Sequence, residues 1–272
     1  MNYRHAFHAG NPADCMKHAL LVWMLRALAR KPAPMFVLDT HAGTGRYDLL
    51  SGPAERTGEW RAGIARLLHE PPPALADYVA LVERLRLYPG SPTLIRAMLR
   101  DGDRLACCEL HPEDHAGLAR QFGRDRQVAV HLRDGYAAIG ALLPPSQARG
   151  LVLIDPPYEA AGEFDRVLAG LETGATRFAP AVYAAWYPIK HRSPVRAFHE
   201  AIRAARLRDV VCAELWWREP TDPARLNGCG LLVRNAPWGF DEAAAGILAA
   251  LLHRLGDNEF GQGHAVLRLT DE

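Results

Sequence analysis

Five short apolar runs recur along the first two thirds of the chain, and each ends at polar or turn-forming residues. They occupy residues 35–38, 105–108, 128–132, 151–154 and 181–186. Continuous runs of this length are typical of strands buried on both faces of a parallel sheet. Segments with helical spacing lie between them, and shorter apolar runs follow at 210–215, 230–233 and 265–269. The alternation predicts an α/β fold with a mostly parallel central sheet flanked by helices.

The first helix has clear signals at both ends. Asn11 offers an N-cap, and Pro12 follows at the first helical position. Apolar residues then recur at helical spacing from 16 to 28. Lys31-Pro32 ends the pattern, so a helix is expected to precede the first strand.

One stretch breaks the regular alternation of strands and helices. In nucleotide-binding α/β folds, the acid that binds the ribose lies about 20 residues after the glycine loop. Here the next acid at a strand end, Glu109, lies 64 residues after Gly45. We therefore predict a helical subdomain at 48–89, inserted between the first and second sheet strands, with helices at 59–68 and 74–87. The whole chain, 1–272, is then a single domain.

The charge balance limits the ways in which the chain can bind nucleic acid. Lys and Arg total 32 and Asp and Glu total 31 in 272 residues, which gives a net charge of +1. Binding through bulk positive charge is excluded, although a local basic face is not. Arg4, Arg46, Arg56, Arg61 and Arg66, together with Lys190, His191, Arg192 and Arg196, are candidates for such a face.

Apolar run length and cysteine spacing indicate the compartment. No apolar run approaches the length of about 18 residues that a membrane span requires. The first residues lack a basic segment followed by a long apolar one, so no signal peptide is expected. The five cysteines include no C-x-x-C pair and indicate reduced thiols in a cytoplasmic protein, with no metal site.

A glycine loop follows the first strand and contains Asp39, His41, Gly43 and Gly45. Glycines allow close approach of a ligand to the backbone. Asp48 occupies the third glycine position of the dinucleotide fingerprint, which argues against a dinucleotide. An ordinary strand-to-helix turn remains the alternative for this loop.

Acidic residues end the next two strands. Glu109 is placed to accept hydrogen bonds from two ribose hydroxyls, and Asp134 from an adenine amino group. Each is also compatible with a plain role, a solvated loop carboxylate for Glu109 and a turn residue before Gly135 for Asp134. Together with the glycine loop, they fit a ligand with a ribose and an adenine but no pyrophosphate, such as S-adenosylmethionine.

The segment Asp155-Pro156-Pro157-Tyr158 is the strongest indication of chemistry. Two prolines fix the backbone and remove two donors. The Asp155 carboxylate and the Pro156 carbonyl are left as acceptors for an exocyclic amino group, and Tyr158 supplies a flat face for a base. Such acceptors favour a more tetrahedral nitrogen, whose lone pair can then attack a methyl sulfonium. A strand-terminating Pro-Pro turn is the plain alternative.

This constellation resembles the class I, S-adenosylmethionine-dependent adenine-N6 methyltransferases that carry D/N-P-P-Y/F/W. The chain is more closely similar to the bacterial 23S ribosomal RNA adenine-N6 methyltransferases of the J type. The similarity rests on 3–11, Asp14, Lys17-His18, 38–43, 54–59, 88–92, 109–112, 153–159, 183–188 and 263–265. The departure is a shorter segment before Tyr88. The resemblance implies a Rossmann-like class I methyltransferase fold.

The resemblance also implies roles for individual residues. Asp155 would be the catalytic acceptor, with Pro156 and Tyr158 beside it. Tyr3 and His5 would belong to a mobile tail that closes on the target nucleotide. Lys17 would meet the methionine carboxylate. The other expected cofactor-binding residues are His18, Asp39, His41, Gly43, Ser91, Glu109, Asp134 and Gly135.

The expected function is methyl transfer to N6 of a specific adenine in naked or early-assembly 23S ribosomal RNA, which leaves S-adenosylhomocysteine. The target base must leave its stack to be reached. We expect a monomer that binds RNA and no membrane. A DNA adenine methyltransferase is the alternative within the fold, although no separate target-recognition domain is evident. A nicotinamide-dependent dehydrogenase and a non-catalytic RNA-binding module are the alternatives from other classes.

Overall fold

A computed structural model describes residues 4–271, so Tyr3 lies outside the described residues. The strands are β1 Phe36–Asp39, β2 Arg46–Tyr47, β3 Tyr88–Pro89, β4 Arg104–Glu109, β5 Val128–Leu132, β6 Gly150–Ile154, β7 Val182–Ile189, β8 Val210–Trp216, β9 Gly228–Arg234 and β10 Gly263–Thr270. The helices are α1 Pro12–Ala29, α2 Gly52–Thr57, α3 Ile64–Leu67, α4 Ala76–Leu85, α5 Ser91–Met98, α6 Pro112–Phe122, α7 Gly135–Leu142, α8 Glu163–Arg177, α9 Arg192–Ala204 and α10 Phe240–Leu255.

Eight of these strands form one sheet in the order β10-β8-β9-β7-β6-β1-β4-β5. The pairings of β1 with β4 and β6, of β4 with β5 and of β6 with β7 are parallel. β9 runs antiparallel to β7 and β8, and β10 runs antiparallel to β8. The predicted mostly parallel sheet of a Rossmann-like class I methyltransferase is confirmed.

Helices cover both faces of the sheet because successive strand residues point to opposite sides. Leu151 and Leu153 of β6 belong to the apolar cluster that includes α1, α5 and α10. Val152 and Ile154 belong to the cluster that includes α7, α8 and α9. Both faces of β6 are therefore buried, as its unbroken apolar run predicted.

The N-terminal start of α1 also agrees with the prediction. The Asn11 side chain accepts a hydrogen bond from the Asp14 backbone N–H at 2.9 Å, and Pro12 opens the helix. This cap fixes the entry of α1, which carries Lys17 and His18 to the carboxyl ends of the strands.

The prediction of a single helix at 59–68 was wrong. A 3-10 turn at Glu59–Arg61 is followed by α3, and Gly63 separates the two. A Cβ on Gly63 would lie 2.0 Å from the Gly10 carbonyl oxygen, which accepts a hydrogen bond from the Ile64 N–H at 2.9 Å. Contact with the N-terminal segment therefore interrupts the helix.

The expected helix at 74–87 is shorter than predicted. It consists of a 3-10 turn at Pro73–Leu75 and α4, and it ends before Arg86, which has φ +66°. β2 pairs with β3 as a small antiparallel ribbon at the two ends of this segment. The assignment of 48–89 as an inserted subdomain of a single domain stays a prediction.

Candidate active site

A cavity of about 1170 Å³ lies at the carboxyl ends of the parallel strands. This is the edge at which open α/β sheets bind ligands. Its walls include almost every predicted site residue that the structure describes: His5, Lys17, His18, His41, Gly43, Ser91, Glu109, Asp134, Gly135, Asp155, Pro156 and Tyr158. The exception is Asp39, which lies behind Ser91. The fold thus brings together residues from the N-terminus to β6.

The Glu109 carboxylate joins the ends of β1 and β4. One oxygen accepts the Gly43 N–H at 2.9 Å and the other accepts the His111 N–H at 2.7 Å. A carboxylate has about four lone-pair sites, so two hydroxyl donors still have acceptors there. The glycine loop is therefore held by the residue proposed to bind the ribose.

Asp134 acts as the N-cap of α7. Its Oδ1 accepts the Ala137 N–H at 2.9 Å, and its Oδ2 lies 3.2 Å from the Arg166 guanidinium. The structural role that the sequence offered as the alternative, a local backbone contact before Gly135, is therefore present. Binding of an adenine amino group by Asp134 stays a prediction.

Gly135 follows Asp134 where α7 meets the glycine loop. A Cβ at this position would lie 2.2 Å from the Thr40 carbonyl oxygen and 2.9 Å from the His41 ring. Both neighbours belong to the cavity wall. A side chain here would push the loop away from α7.

We expect Gly135→Ala to destabilise the protein and weaken its affinity for S-adenosylhomocysteine at least 10-fold. Gly140→Ala on the same helix is the matched control, because a Cβ there meets nothing within 4 Å. The control should add about 0.5–1 kcal/mol of stability through its helix propensity. Urea unfolding and titration calorimetry measure both effects. Equal stability and equal affinity of the two variants would contradict the close approach of Gly135 to Thr40 and His41.

Asp39 supports Ser91 from beneath the cavity. The Ser91 hydroxyl donates to Asp39 Oδ2 at 2.7 Å, and Asp39 Oδ1 is buried without a hydrogen-bond partner among the described residues. Burial raises the pKa of Asp39 to about 7. Its contact with a cofactor stays a prediction, and the structure shows instead that it positions Ser91.

The raised pKa of Asp39 predicts a pH-dependent cost to stability. An Asp with an ordinary pKa in the unfolded chain releases its proton near pH 4, whereas folded Asp39 keeps it to about pH 7. The contribution of Asp39 to stability therefore falls as the pH rises through this window. The free energy of unfolding of Asp39→Asn, relative to that of the wild type, should therefore increase by up to about 4 kcal/mol between pH 4 and pH 7. Parallel pH profiles of the free energy of unfolding would contradict this.

His41 is held in one tautomer by Thr40. The Thr40 hydroxyl donates to the Leu153 carbonyl at 2.9 Å, so its oxygen accepts from His41 Nδ1 at 2.7 Å. Burial lowers the pKa of His41 to about 4, which keeps the ring neutral. Nε2 is left as an acceptor on a residue that lines the cavity.

His18 ends a chain of buried hydroxyl groups. Its Nδ1 lies 3.0 Å from the Tyr88 hydroxyl, which lies 3.1 Å from the Tyr78 hydroxyl. Burial lowers the pKa of His18 to about 3, and its Nε2 is buried with no hydrogen-bond partner in the described part of the chain. An unpaired nitrogen in the cavity wall fits an amino-acid moiety such as that of S-adenosylmethionine.

Lys17 bridges two carboxylates. Its Nζ lies 2.9 Å from Asp14 Oδ1 and 2.5 Å from Asp155 Oδ2. Burial alone lowers the pKa of Lys17, but the two carboxylates hold it well above its usual range. Lys17 was expected to meet the methionine carboxylate. The structure places it on Asp155, and both the methionine contact of Lys17 and the catalytic role of Asp155 stay predictions.

Asp14 lines the cavity and is bonded to Lys17, but it was not among the predicted site residues. Its Oδ2 accepts from the Gly10 N–H at 3.0 Å and lies 2.9 Å from His5 Nε2. Although burial raises the pKa of Asp14, its Coulombic interactions with His5 and Lys17 hold that pKa well below its usual range. The spacing of Asp14 and Lys17 on one helix face was the available signal. His5 thus lies beside the acceptor network, while its contact with a target nucleotide stays a prediction.

Tyr158 is held in an unusual conformation. Its φ of +52° lies in the left-handed region, which a non-glycine residue adopts at a cost. The hydroxyl donates to the Trp186 carbonyl at 3.1 Å, and the ring meets Phe164 and Trp186 edge-on. These contacts fix the ring as a wall of the cavity directly after Asp155-Pro156-Pro157.

The candidate basic face is only partly available for phosphates. Arg4 pairs with Glu113 and Asp114, Arg61 with Glu55 and Arg66 with Asp257. Arg46 and Arg56 are exposed, and Lys190 lines the cavity. Arg192 lies over the Trp216 ring. A local basic face made by these residues stays a prediction.

Residues 4–271 contain neither a metal-binding cluster nor a membrane-spanning helix. No group of three or more His, Cys, Asp or Glu side chains among them is arranged to hold a metal ion. In the same residues, no helix combines the length and the apolar character needed to cross a membrane.

A family model described as ribosomal RNA large subunit methyltransferase D, RlmJ, matches residues 32–268. The chain belongs to this family. The ribosomal RNA large subunit methyltransferase J of Escherichia coli (strain K12) is 38% identical over 275 residues, which is 98% of both chains. The enzyme of the same name from Haemophilus influenzae is 39% identical and covers 94% of both chains. The resemblance drawn from the motifs is confirmed.

A solved structure supports the fold of this family member. A crystal structure from Legionella pneumophila aligns with a TM-score of 0.87 at 30% sequence identity, covering 96% of this chain and 98% of the other. The structural similarity therefore extends over nearly the whole length of both chains.

Proposed function

We propose that this protein transfers a methyl group from S-adenosylmethionine to the exocyclic N6 of an adenine in 23S ribosomal RNA. The observation that carries the proposal is one continuous cavity with two kinds of wall. Glu109, His18 and Ser91 offer groups that suit the cofactor, and Asp155, Pro156 and Tyr158 offer groups that suit the amino group of a base.

The acceptors at β6 suit a poor nucleophile. The N6 lone pair is delocalised into the adenine ring, and two acceptors on its hydrogens favour a tetrahedral nitrogen. Asp155 supplies a carboxylate that Lys17 holds in place at 2.5 Å, and Pro156 supplies a carbonyl without adding a backbone donor. When bound, S-adenosylmethionine supplies the methyl group on a sulfonium and leaves as S-adenosylhomocysteine.

Proton transfer completes the reaction. The nitrogen gains positive charge as the bond to the methyl carbon forms, so one N–H proton must leave. The Asp155 carboxylate is the acceptor within the proposed site, and its partner Lys17 stays protonated because two carboxylates raise its pKa. Tyr158 and the edge-on rings around it would keep the base flat and exclude water.

Family membership favours RNA over duplex DNA as the substrate and methyl transfer over hydride transfer. We further propose that the protein acts as a monomer in the cytoplasm. The cavity supports a monomeric enzyme, because one chain supplies residues for both the cofactor and the base. Light scattering during gel filtration tests the oligomeric state, and a stable dimer would contradict it.

An assay with radiolabelled S-adenosylmethionine tests the proposed substrate. Deproteinised 23S ribosomal RNA should be methylated, whereas duplex DNA containing the same sequence should not. Nuclease digestion and mass spectrometry should then identify N6-methyladenine. Preferential methylation of the duplex DNA would support the alternative adenine methyltransferase and overturn the RNA proposal.

A further inference from the structure

A second surface is continuous with the active site on the side away from the expected cofactor residues. The expected cofactor residues at strand ends lie at β1, β4 and β5, while Asp155 follows β6 at the centre of the sheet. The other half of the sheet contains β7, β9, β8 and β10. The proposed function assigns no role to the residues at the edge of this half that lies on the active-site side.

Strand register places this edge on the same side of the sheet as Asp155 but further out, because Ile154 pairs with Ala185, four residues before Ile189. Ile189 at the end of β7 pairs with Gly228, Gly228 pairs with Trp216, and Trp216 pairs with Gly263. The residues beyond these positions therefore emerge at one edge of the sheet. With strands about 4.8 Å apart, the distance from β7 to β10 is about 14 Å.

The first groups on this surface are a cation and an aromatic ring. Lys190 and Trp217 both line the cavity that contains Asp155. Lys190 is exposed and makes no ion pair with the described residues, and its carbonyl accepts a hydrogen bond from the Asn227 side chain at 2.6 Å. Its backbone is thus anchored while its ammonium is available.

The outer group is Phe260, whose side chain is 87% exposed. Its loop is held in place despite this exposure. The Phe260 carbonyl accepts the Glu219 N–H at 3.2 Å, the Gly261 carbonyl accepts the Trp216 indole N–H at 2.8 Å, and Arg218 pairs with Glu259. Arg218 and Asp257 line the cavity, so this loop adjoins it and presents an aromatic ring that is suited to stacking.

We infer that the RNA strand next to the target adenine crosses this surface, with a phosphate at Lys190 and an unpaired base against Phe260. The inference rests on the proposed function, because a target base that leaves its stack exposes its neighbours. Proteins recognise such unpaired RNA by stacking bases on aromatic side chains. The near-neutral chain charge agrees with a surface that combines a lysine with aromatic rings.

The chain offers a matched control for each of the two groups. Trp238 is 91% exposed. It follows β9, whose last residue, Arg234, pairs with Tyr183 near the start of β7, so Trp238 lies at the edge of the sheet opposite the active site. Lys31 is exposed and precedes β1 at that same opposite edge. Trp238→Ala and Lys31→Ala therefore remove the same chemistry away from the active site.

Steady-state kinetics on deproteinised 23S ribosomal RNA test the inference. Phe260→Ala should raise KM for RNA by about 5- to 150-fold, since a base–aromatic stack contributes about 1–3 kcal/mol. Lys190→Ala should raise KM and reduce the slope of log affinity against log salt by about 0.7. Both variants should keep the wild-type affinity for S-adenosylhomocysteine, and the two controls should keep the wild-type KM.

The result that overturns the inference is a KM for Phe260→Ala and Lys190→Ala equal to that of their controls. Direct binding of the same RNA, measured by filter retention, separates this failure from failure of the proposed function. A wild type that binds RNA through these two residues but transfers no methyl group would contradict the proposed function alone.

Discussion

Asp155→Ala should lower the rate of methyl transfer to RNA by about 100- to 10,000-fold, the range typical of a lost proton-transfer group. The carboxylate is the acceptor that follows β6, and Lys17 lies 2.5 Å from it. Because Lys17 keeps its pair with Asp14, the variant should remain folded. Single-turnover measurements with saturating S-adenosylmethionine report this rate.

Three comparisons make that result specific. Asp155→Asn keeps one carbonyl acceptor, so its rate should fall between those of the wild type and Asp155→Ala. Asp165→Ala removes an exposed acid from the first turn of α8 and should leave the rate unchanged. The affinity for S-adenosylhomocysteine should be preserved in all three variants. A wild-type rate in Asp155→Ala would refute the catalytic role.

Asp14→Ala should lower the free energy of unfolding by about 3–5 kcal/mol, the usual cost of breaking a buried ion pair from one side. Asp14 is 2% exposed and is bonded to Lys17, His5 and the Gly10 N–H. Its loss leaves Lys17 buried with Asp155 as its remaining carboxylate. Methyl transfer should fall as well, because the ammonium that orients Asp155 would then be held by one carboxylate instead of two.

The exposed pair of Arg26 and Asp77 provides the matched control. Their side chains are 58% and 52% exposed, so Asp77→Ala should cost only about 0–1 kcal/mol. The double variant with Asp14→Ala and Lys17→Met should cost less than the sum of the two single changes, since the buried ammonium is removed together with its buried partner Asp14. Equal losses for Asp14→Ala and Asp77→Ala in urea unfolding would contradict the buried network.

The sheet could be predicted from the sequence because burial on both faces leaves unbroken apolar runs. The run at 151–154 became β6, Gly150–Ile154, and the run at 128–132 became β5, Val128–Leu132. The break at Gly63 could not be predicted in this way. It results from the approach of Gly10, more than 50 positions earlier in the chain, and local helix propensity carries no trace of that contact.

The site was predictable to the extent that parallel strands end at a common edge. This rule alone predicts that Glu109, Asp134 and Asp155 lie close together, and all three line the cavity. The contacts of Lys17 and Asp39 could not be predicted without side-chain geometry. Each residue binds a partner far away in sequence, Asp155 for Lys17 and Ser91 for Asp39. The surface with Lys190 and Phe260 could be located only once the register of the antiparallel strands was known.

The most direct test of the central claim is a map of N6-methyladenine in 23S ribosomal RNA from cells that lack this gene. One methylated adenine should disappear in the deletion strain, return with the wild-type gene and stay absent with Asp155→Ala. An unchanged map in the deletion strain, or restoration by Asp155→Ala, would contradict the proposal that Asp155 directs methyl transfer to an adenine of this RNA.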